Sequence, residues 1–215
     1  MKLYTHPLSP YSAKVRIALA EKALPYDEVS LPITRSAVLD KPDELLAINP
    51  RCEVPTLVDG DVRLYDSTVI NEYLDSVHPE PALLPRAIAA RARARQFEDH
   101  GDWLLAGCVG DLIDAAYRQP DPAKQDAAKL SASRDAIAHE YDRLERELEG
   151  RAWLAGEFSL ADIACFVPVS IAAAFGAKPS TAHARVAAWF ASCLARPAFS
   201  REIASMRDAL AKLPD

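Results

Sequence analysis

Three prolines fall within residues 78–86 (HPEPALLPR), and the chain changes character across them. Proline lacks a backbone N–H and fixes φ, so it continues neither a helix nor a central strand. A segment holding three of them reads as a linker. Before it, β-like runs at 2–5, 26–31, 56–58 and 62–64 alternate with helical spacing at 10–22, 43–48 and 66–77. Asp59-Gly60-Asp61 is a glycine-containing turn of the kind that closes a hairpin. The order β-α-β-α-β-β-α implies a mixed sheet with helices packed on it. Beyond the linker the texture is alanine-rich and helical, with helices expected over 87–117, 123–149, 159–175, 182–195 and 198–211, separated by Gly and Pro breaks. The expected domains are 1–78 and 87–215, joined by 79–86.

At 215 residues, half of them apolar, the chain can bury a core without metal or disulfide staples. Its net charge of −6 argues against a nucleic-acid backbone or an anionic membrane as the main partner, since both call for a basic surface. Cys52, Cys108, Cys165 and Cys193 are far apart and form no CxxC pair, which reads as isolated thiols in a reducing cytosol. His6, His78, His100, His139 and His183 show no ligand spacing, so no metal is expected. Met1 runs directly into a strand-like segment, and no apolar run approaches the roughly 20 residues of a membrane span. The expected location is the cytoplasm.

Three short constellations carry chemistry. Ser9-Pro10-Tyr11-Ser12-Ala13-Lys14-Val15-Arg16 sits where the first strand meets the first helix. Proline suits the first helical turn and Ser9 is a natural N-cap. The same geometry presents free N–H groups and a hydroxyl to an anion such as a thiolate. Asn49-Pro50-Arg51-Cys52-Glu53-Val54-Pro55-Thr56-Leu57 brings a proline to the entry of a strand. That is an ordinary loop-to-strand proline or, with a cis Val54-Pro55 bond, a place where the Val54 backbone faces outward and an extended peptide pairs with it. Tyr65-Asp66-Ser67-Thr68 leads into a helix: Asp66 and Ser67 either cap it or take the two charged ends of an amino acid.

In this order and spacing, SPYSAKVR, NPRCEVPTLVDGD and LYDSTVINEYLD resemble the N-terminal domain of cytosolic glutathione transferases, in the flavour of the serine-type bacterial, tau-like and zeta-like classes. Downstream, Glu157–Ala164 (EFSLADIA) resembles the capping box of a helix in the second domain of these proteins, with Ser159 and Asp162 assigned to folding. The resemblance implies an α/β thioredoxin-like N-terminal domain, an all-α C-terminal domain and conjugation of glutathione to small hydrophobic electrophiles. It also implies a homodimer, with glutathione as co-substrate.

By the same resemblance Ser9 is the catalytic hydroxyl, with Ser12 its nearest competitor. Val54 and Pro55 hold the cysteinyl part of glutathione, Asp66 and Ser67 the γ-glutamyl end, and Lys41 the glycyl carboxylate. Many relatives carry glutamine or lysine where this chain has Glu53, so a nearby cation, Lys41 or Arg51, is needed to offset it. Tyr11, Trp103 and Gly107 are the expected electrophile pocket, and Arg91, Arg93 and Arg95 read as a solvated face. Three alternatives stand beside this reading, one of them a thiol-disulfide oxidoreductase of omega type, which would need a cysteine where Ser9 stands. Residues 64–84 also resemble stringent starvation protein A, a non-enzymatic interaction protein of the same architecture. A glutathione-dependent isomerase of zeta type is the third, though Pro10 and Tyr11 replace a serine and a cysteine of its octet.

Overall fold

The computed structural model describes residues 1–32, 42–114, 119 and 121–212. These form two compact units, Met1–Leu83 with Pro197–Asp215, and Leu84–Arg196.

The first unit is built on four strands, β1 (Lys2–Thr5), β2 (Asp27–Ser30), β3 (Thr56–Asp59) and β4 (Val62–Tyr65), in the order β2-β1-β3-β4. β1 and β2 run parallel; β3 is antiparallel to both β1 and β4. Gly60 closes the β3–β4 hairpin at φ +57°, a conformation that costs a residue without Cβ little. Side chains alternate across the sheet, and this alternation splits the core in two. Leu3 and Leu57 face one side, where they pack with Val15 and Leu19 of α1 (Pro10–Glu21) and with Ile70 and Leu74 of α3 (Ser67–Val77). Tyr4 faces the other side, with Leu31, Cys52 and Leu45 of α2 (Asp43–Ile48). The linker is anchored on this unit rather than hanging free. The buried Lys22 ammonium donates to the carbonyls of His78 and Pro81 at 2.7 and 2.8 Å and pairs with Asp75 at 2.7 Å.

In the second unit α4 (Ile88–Leu104) packs along α7 (Leu160–Ala174), a helix buried over Leu160–Ala172. Gly101 permits the contact: a Cβ there would lie 2.6 Å from the Ala164 carbonyl oxygen. The Ser159/Asp162 capping box forms at the start of α7, and the Asp162 carboxylate also accepts from Leu154 N–H and Trp189 Nε1–H, at 3.0 and 2.9 Å. The unit is completed by α5 (Gly110–Ile113), a 3-10 turn (Pro122–Lys124), α6 (Ala127–Glu147) and α8 (Ala184–Leu194).

Four expectations change. The helix expected over 87–117 breaks into α4, a π turn (Leu105–Val109) and α5, because Gly107 takes φ −86°, ψ −119° inside it; residues 115–117 lie outside the described residues. α6 starts four residues later than expected because Asp126 caps it, accepting from Lys129 N–H at 3.0 Å. Arg93 is not on a solvated face: its guanidinium bonds to Glu147 and to the Leu154 carbonyl. The last helix, α9 (Pro197–Ala211), groups with the first unit, where its Glu202 meets Arg16 of α1.

Gly101→Ala forces a backbone shift between α4 and α7. A loss of about 1–3 kcal/mol is expected, as for overpacked cores. Urea unfolding of the two proteins reads it directly, and equal midpoints would contradict the close approach.

Candidate functional site

The register of the sheet brings the three sequence motifs to one place. Tyr4 pairs with Thr56, and Thr56 with Tyr65, so these residues form one row across three strands. β3 runs against its neighbours, so the chain leaving β1 toward Ser9, the chain entering β3 through Val54 and Pro55, and the chain leaving β4 into Asp66 and Ser67 all emerge at the same end of the sheet.

Ser9 is the N-cap of α1 and is half-buried. Its N–H donates to the His6 carbonyl at 3.0 Å, and its Oγ accepts from Ser12 N–H at 3.1 Å. The Ser9 oxygen is thus occupied as an acceptor while its O–H remains a donor. Ser12 is fully buried within the helix, and its hydroxyl has no partner among the described residues. Tyr11 follows Pro10, with the Lys14 ammonium 5.2 Å from its ring centre.

At the second motif the Val54-Pro55 bond is cis. The turn before it is organised by Asn49, a fully buried residue to which the sequence reading assigned no role. Its Nδ2 donates to the Glu53 carbonyl at 3.0 Å and to Thr56 Oγ1 at 2.9 Å, while its Oδ1 accepts from Arg51 N–H at 2.9 Å. Thr56 Oγ1 donates in turn to the same Glu53 carbonyl at 2.8 Å. An asparagine between α2 and Pro50, where a helix ends and a turn begins, is the signal that marked it. The Glu53 carboxylate lies 3.3 Å from Arg51; both side chains are about 60% exposed and such a pair is weak. Lys41 lies outside the described residues.

At the third motif Asp66 caps α3 from φ +78°, one carboxylate oxygen accepting from Thr68 and Val69 N–H at 2.9 and 3.1 Å. The other oxygen has no hydrogen bond among the described residues. Ser67 is buried and its hydroxyl is unpartnered among the described residues.

Behind Ser9, His6 is 3% exposed, and its Nδ1 accepts from Leu8 N–H at 3.1 Å, which leaves Nε2 to carry the proton. Burial, with a smaller push from the Arg16 charge, lowers its pKa from 6.5 to about 4. His6, Pro7 and Leu8 form one wall of a cavity of ≈ 750 Å³, with Leu31, Arg201 and Lys212 among the residues opposite. In the second unit the Trp103 indole is 58% exposed and stacks on His100 at 5.7 Å. One turn on, Gly107 has open space where a Cβ would stand. Among the described residues no group of three or more His, Cys, Asp or Glu side chains is placed to hold a metal ion, and no helix is long and apolar enough to cross a membrane.

A β2-β1-β3-β4 sheet with helices on both faces, followed by a helical unit, and a serine-capped helix facing a cis-proline turn together define the glutathione transferase fold. Family comparison agrees with that class: the glutathione S-transferase N-terminal domain matches residues 3–82 and the C-terminal domain residues 108–197. Glutathione S-transferase 3 of Zea mays is 31% identical over 96% of this chain and 94% of its own length. FtsZ-localized protein A of Caulobacter vibrioides is 30% identical over 92% of this chain and 88% of its own. A glutathione S-transferase structure from Rhodospirillum rubrum F11 superposes with a TM-score of 0.82 at 31% identity, covering 94% of this chain and 90% of that one. The chain belongs to the cytosolic glutathione transferase family.

Two outcomes are expected. Asn49→Ala leaves the Glu53 carbonyl and Arg51 N–H short of partners; a loss of about 1–3 kcal/mol and faster amide exchange across residues 51–56 should follow, and unchanged exchange there would remove Asn49 from this role. His6 has a depressed folded pKa, so its contribution is complete above pH 6.5 and is lost as the pH falls toward 4. Between pH 7 and pH 5 it accounts for about 1–2 kcal/mol of lost stability, and His6→Asn should flatten the dependence in urea melts by that amount.

Proposed function

We propose that the protein is a glutathione transferase that joins the glutathione thiolate to small hydrophobic electrophiles. The convergence of Ser9, Val54 and Ser67 at one end of the sheet carries the reading, because it gives a tripeptide three anchor points. The cysteinyl backbone pairs with Val54 beside Pro55 and positions sulfur at Ser9. The γ-glutamyl end lies against the start of α3, its carboxylate on the Ser67 N–H and hydroxyl, its ammonium on the free oxygen of Asp66. Glu53 is offset by Arg51, and Lys41 is assigned to the glycyl carboxylate. Of the two serines, Ser9 is favoured as the sulfur's donor because it stands outside the helix and is half-buried, whereas Ser12 is enclosed.

The hydroxyl's contribution can be sized. A free thiol of pKa about 8.5 is only ~3% ionised at pH 7. One hydrogen bond to the anion lowers the pKa by about one to two units. A two-unit drop raises the thiolate fraction about 25-fold, but intrinsic nucleophilicity falls roughly eightfold, leaving ~3-fold. Activation alone is too small. Holding the thiolate against its partner supplies the remainder, since effective molarities of oriented groups are very large. The cavity beside the 6–8 turn supports a second substrate there, and Tyr11 offers an apolar face next to Ser9. For Trp103 and Gly107 the proposed role rests on their open surroundings within the second unit. A homodimer in the cytoplasm is proposed on the family's habit.

A second reading has one observation in its favour: a relative matching over nearly the whole chain is named for its localisation with FtsZ rather than for a reaction. In that reading the protein is a non-enzymatic partner of other proteins, as the resemblance to stringent starvation protein A also suggested. The zeta-type isomerase reading has a relative named maleylacetoacetate isomerase behind it, 30% identical over 80% of this chain, while the residues at 10 and 11 do not favour it. Retention on glutathione–agarose separates enzyme from interaction protein.

Ser9→Ala should raise the pKa of bound glutathione by one to two units and lower conjugation at pH 6.5 about 3- to 6-fold, since part of the lost thiolate is offset by its higher nucleophilicity. Removal of the cap costs only about 1 kcal/mol, so the fold is retained. Unchanged turnover would take the role from Ser9.

A further inference from the structure

Arg16 lies two helical turns after Ser9, and side chains of a helix tilt toward its N-terminus, so its guanidinium reaches back to the strand-to-helix turn. All five of its N–H donors are used. Nε meets the two Glu202 oxygens at 3.1 and 3.0 Å. Nη2 donates to Glu202 Oε1 at 2.6 Å and to the Pro7 carbonyl at 3.2 Å, and Nη1 donates to the His6 carbonyl at 3.1 Å and to Thr5 Oγ1. Both side chains are nearly enclosed, at 9% and 7% exposure. The His6 carbonyl that accepts from Arg16 is the one that accepts from Ser9 N–H, so one oxygen joins the guanidinium to the serine.

We propose that Arg16 and Glu202 are a positioning pair, the carboxylate on α9 holding the guanidinium that fixes the His6 and Pro7 carbonyls and thereby sets where the Ser9 hydroxyl points. The inference rests on the reading of Ser9 as the donor to sulfur. A buried ion pair adds little stability over apolar side chains of similar volume, but a planar fork with every donor used fixes direction. Direction is what the reaction needs, since a misplacement of about 1 Å costs on the order of a hundredfold in rate. Arg16→Lys keeps the charge and loses the fork. The pairing also accompanies the grouping of the final helix with the sheet: its Glu202 meets the guanidinium that holds the turn carrying Ser9.

The test compares the full-length protein with Glu202→Ala, Glu202→Gln and Arg16→Lys. Amide hydrogen exchange at Ser9 and Ser12 needs no catalysis. It should quicken at least tenfold in Glu202→Ala and Arg16→Lys while Leu57 in β3 is unchanged, and Glu202→Gln, which keeps an oxygen for the fork, should restore part of the protection. With glutathione and a chlorodinitrobenzene, kcat/KM at pH 6.5 should fall about threefold in the first two variants, the pKa of the pH profile should rise about one unit, and KM for glutathione should stay within about twofold. Should Glu202→Ala not fold, the Gln and Lys variants carry the same readouts. A purely structural pair would lower stability and active fraction with the profile in place. Exchange at Ser9 and Ser12 unchanged, or quickened equally throughout β1 and β3, overturns the proposal. A wild-type protein that neither binds nor turns over glutathione overturns the reading of Ser9 instead, and the exchange rates then decide by themselves whether the pair fixes the turn.

Discussion

The antiparallel pairing of β3 with both of its neighbours is the constraint on which the site depends. It places the exits of β1 and β4 beside the entry of β3, so that segments far apart in sequence meet at one edge without a dedicated domain to join them. The same pairing divides the core. Alternation puts Leu3 and Leu57 under α1 and α3, and Tyr4 under α2, so each helix that opens or borders the site is seated by the strand beneath it.

The buried polar groups fall into two kinds. Asn49, Arg16 and Lys22 are satisfied by several partners each and hold loops in place. Ser12 and Ser67 bury hydroxyls that have no partner among the described residues. Native proteins satisfy most buried polar atoms, so an orphan asks for an explanation. Ser67 stands at the first turn of α3, where the helix dipole favours an anion; for Ser12 the structure offers no such reason. The satisfied set ties the turns to the elements they join, and the serine ahead of α1 has its oxygen engaged as an acceptor by Ser12 N–H.

The helical unit is organised differently. Its central helix α7 is apolar all round, and its stability rests on close approach, which Gly101 permits, and on one carboxylate, Asp162, that ties the Ser159 turn, Leu154 and Trp189 together. The π turn at Leu105–Val109 interrupts α4 just beyond Trp103, and a break of this kind inside a long helix often accompanies function. Asp126 at the cap of α6 and the Ser159/Asp162 box at the start of α7 set where those helices begin.

Local chemistry was legible in the sequence because it acts over a few residues. Proline and glycine punctuation gave the linker, the hairpin at Gly60 and the order of elements, and cap preferences marked Ser9, Asp66 and Ser159 at helix starts. Family resemblance went further and singled out Val54 and Ser67, whose segments the sheet brings to one end. The break at Gly107 was missed because a glycine in a helical pattern signals nothing by itself; its backbone angles follow from the surrounding packing. The roles of Arg16 and Glu202 were also hidden, and for the same reason. A hydrogen bond joining residues 16 and 202 depends on α9 folding back onto the sheet, which no local propensity encodes. Sequence alone determined what each segment is; the tertiary contacts decided which segments hold one another still.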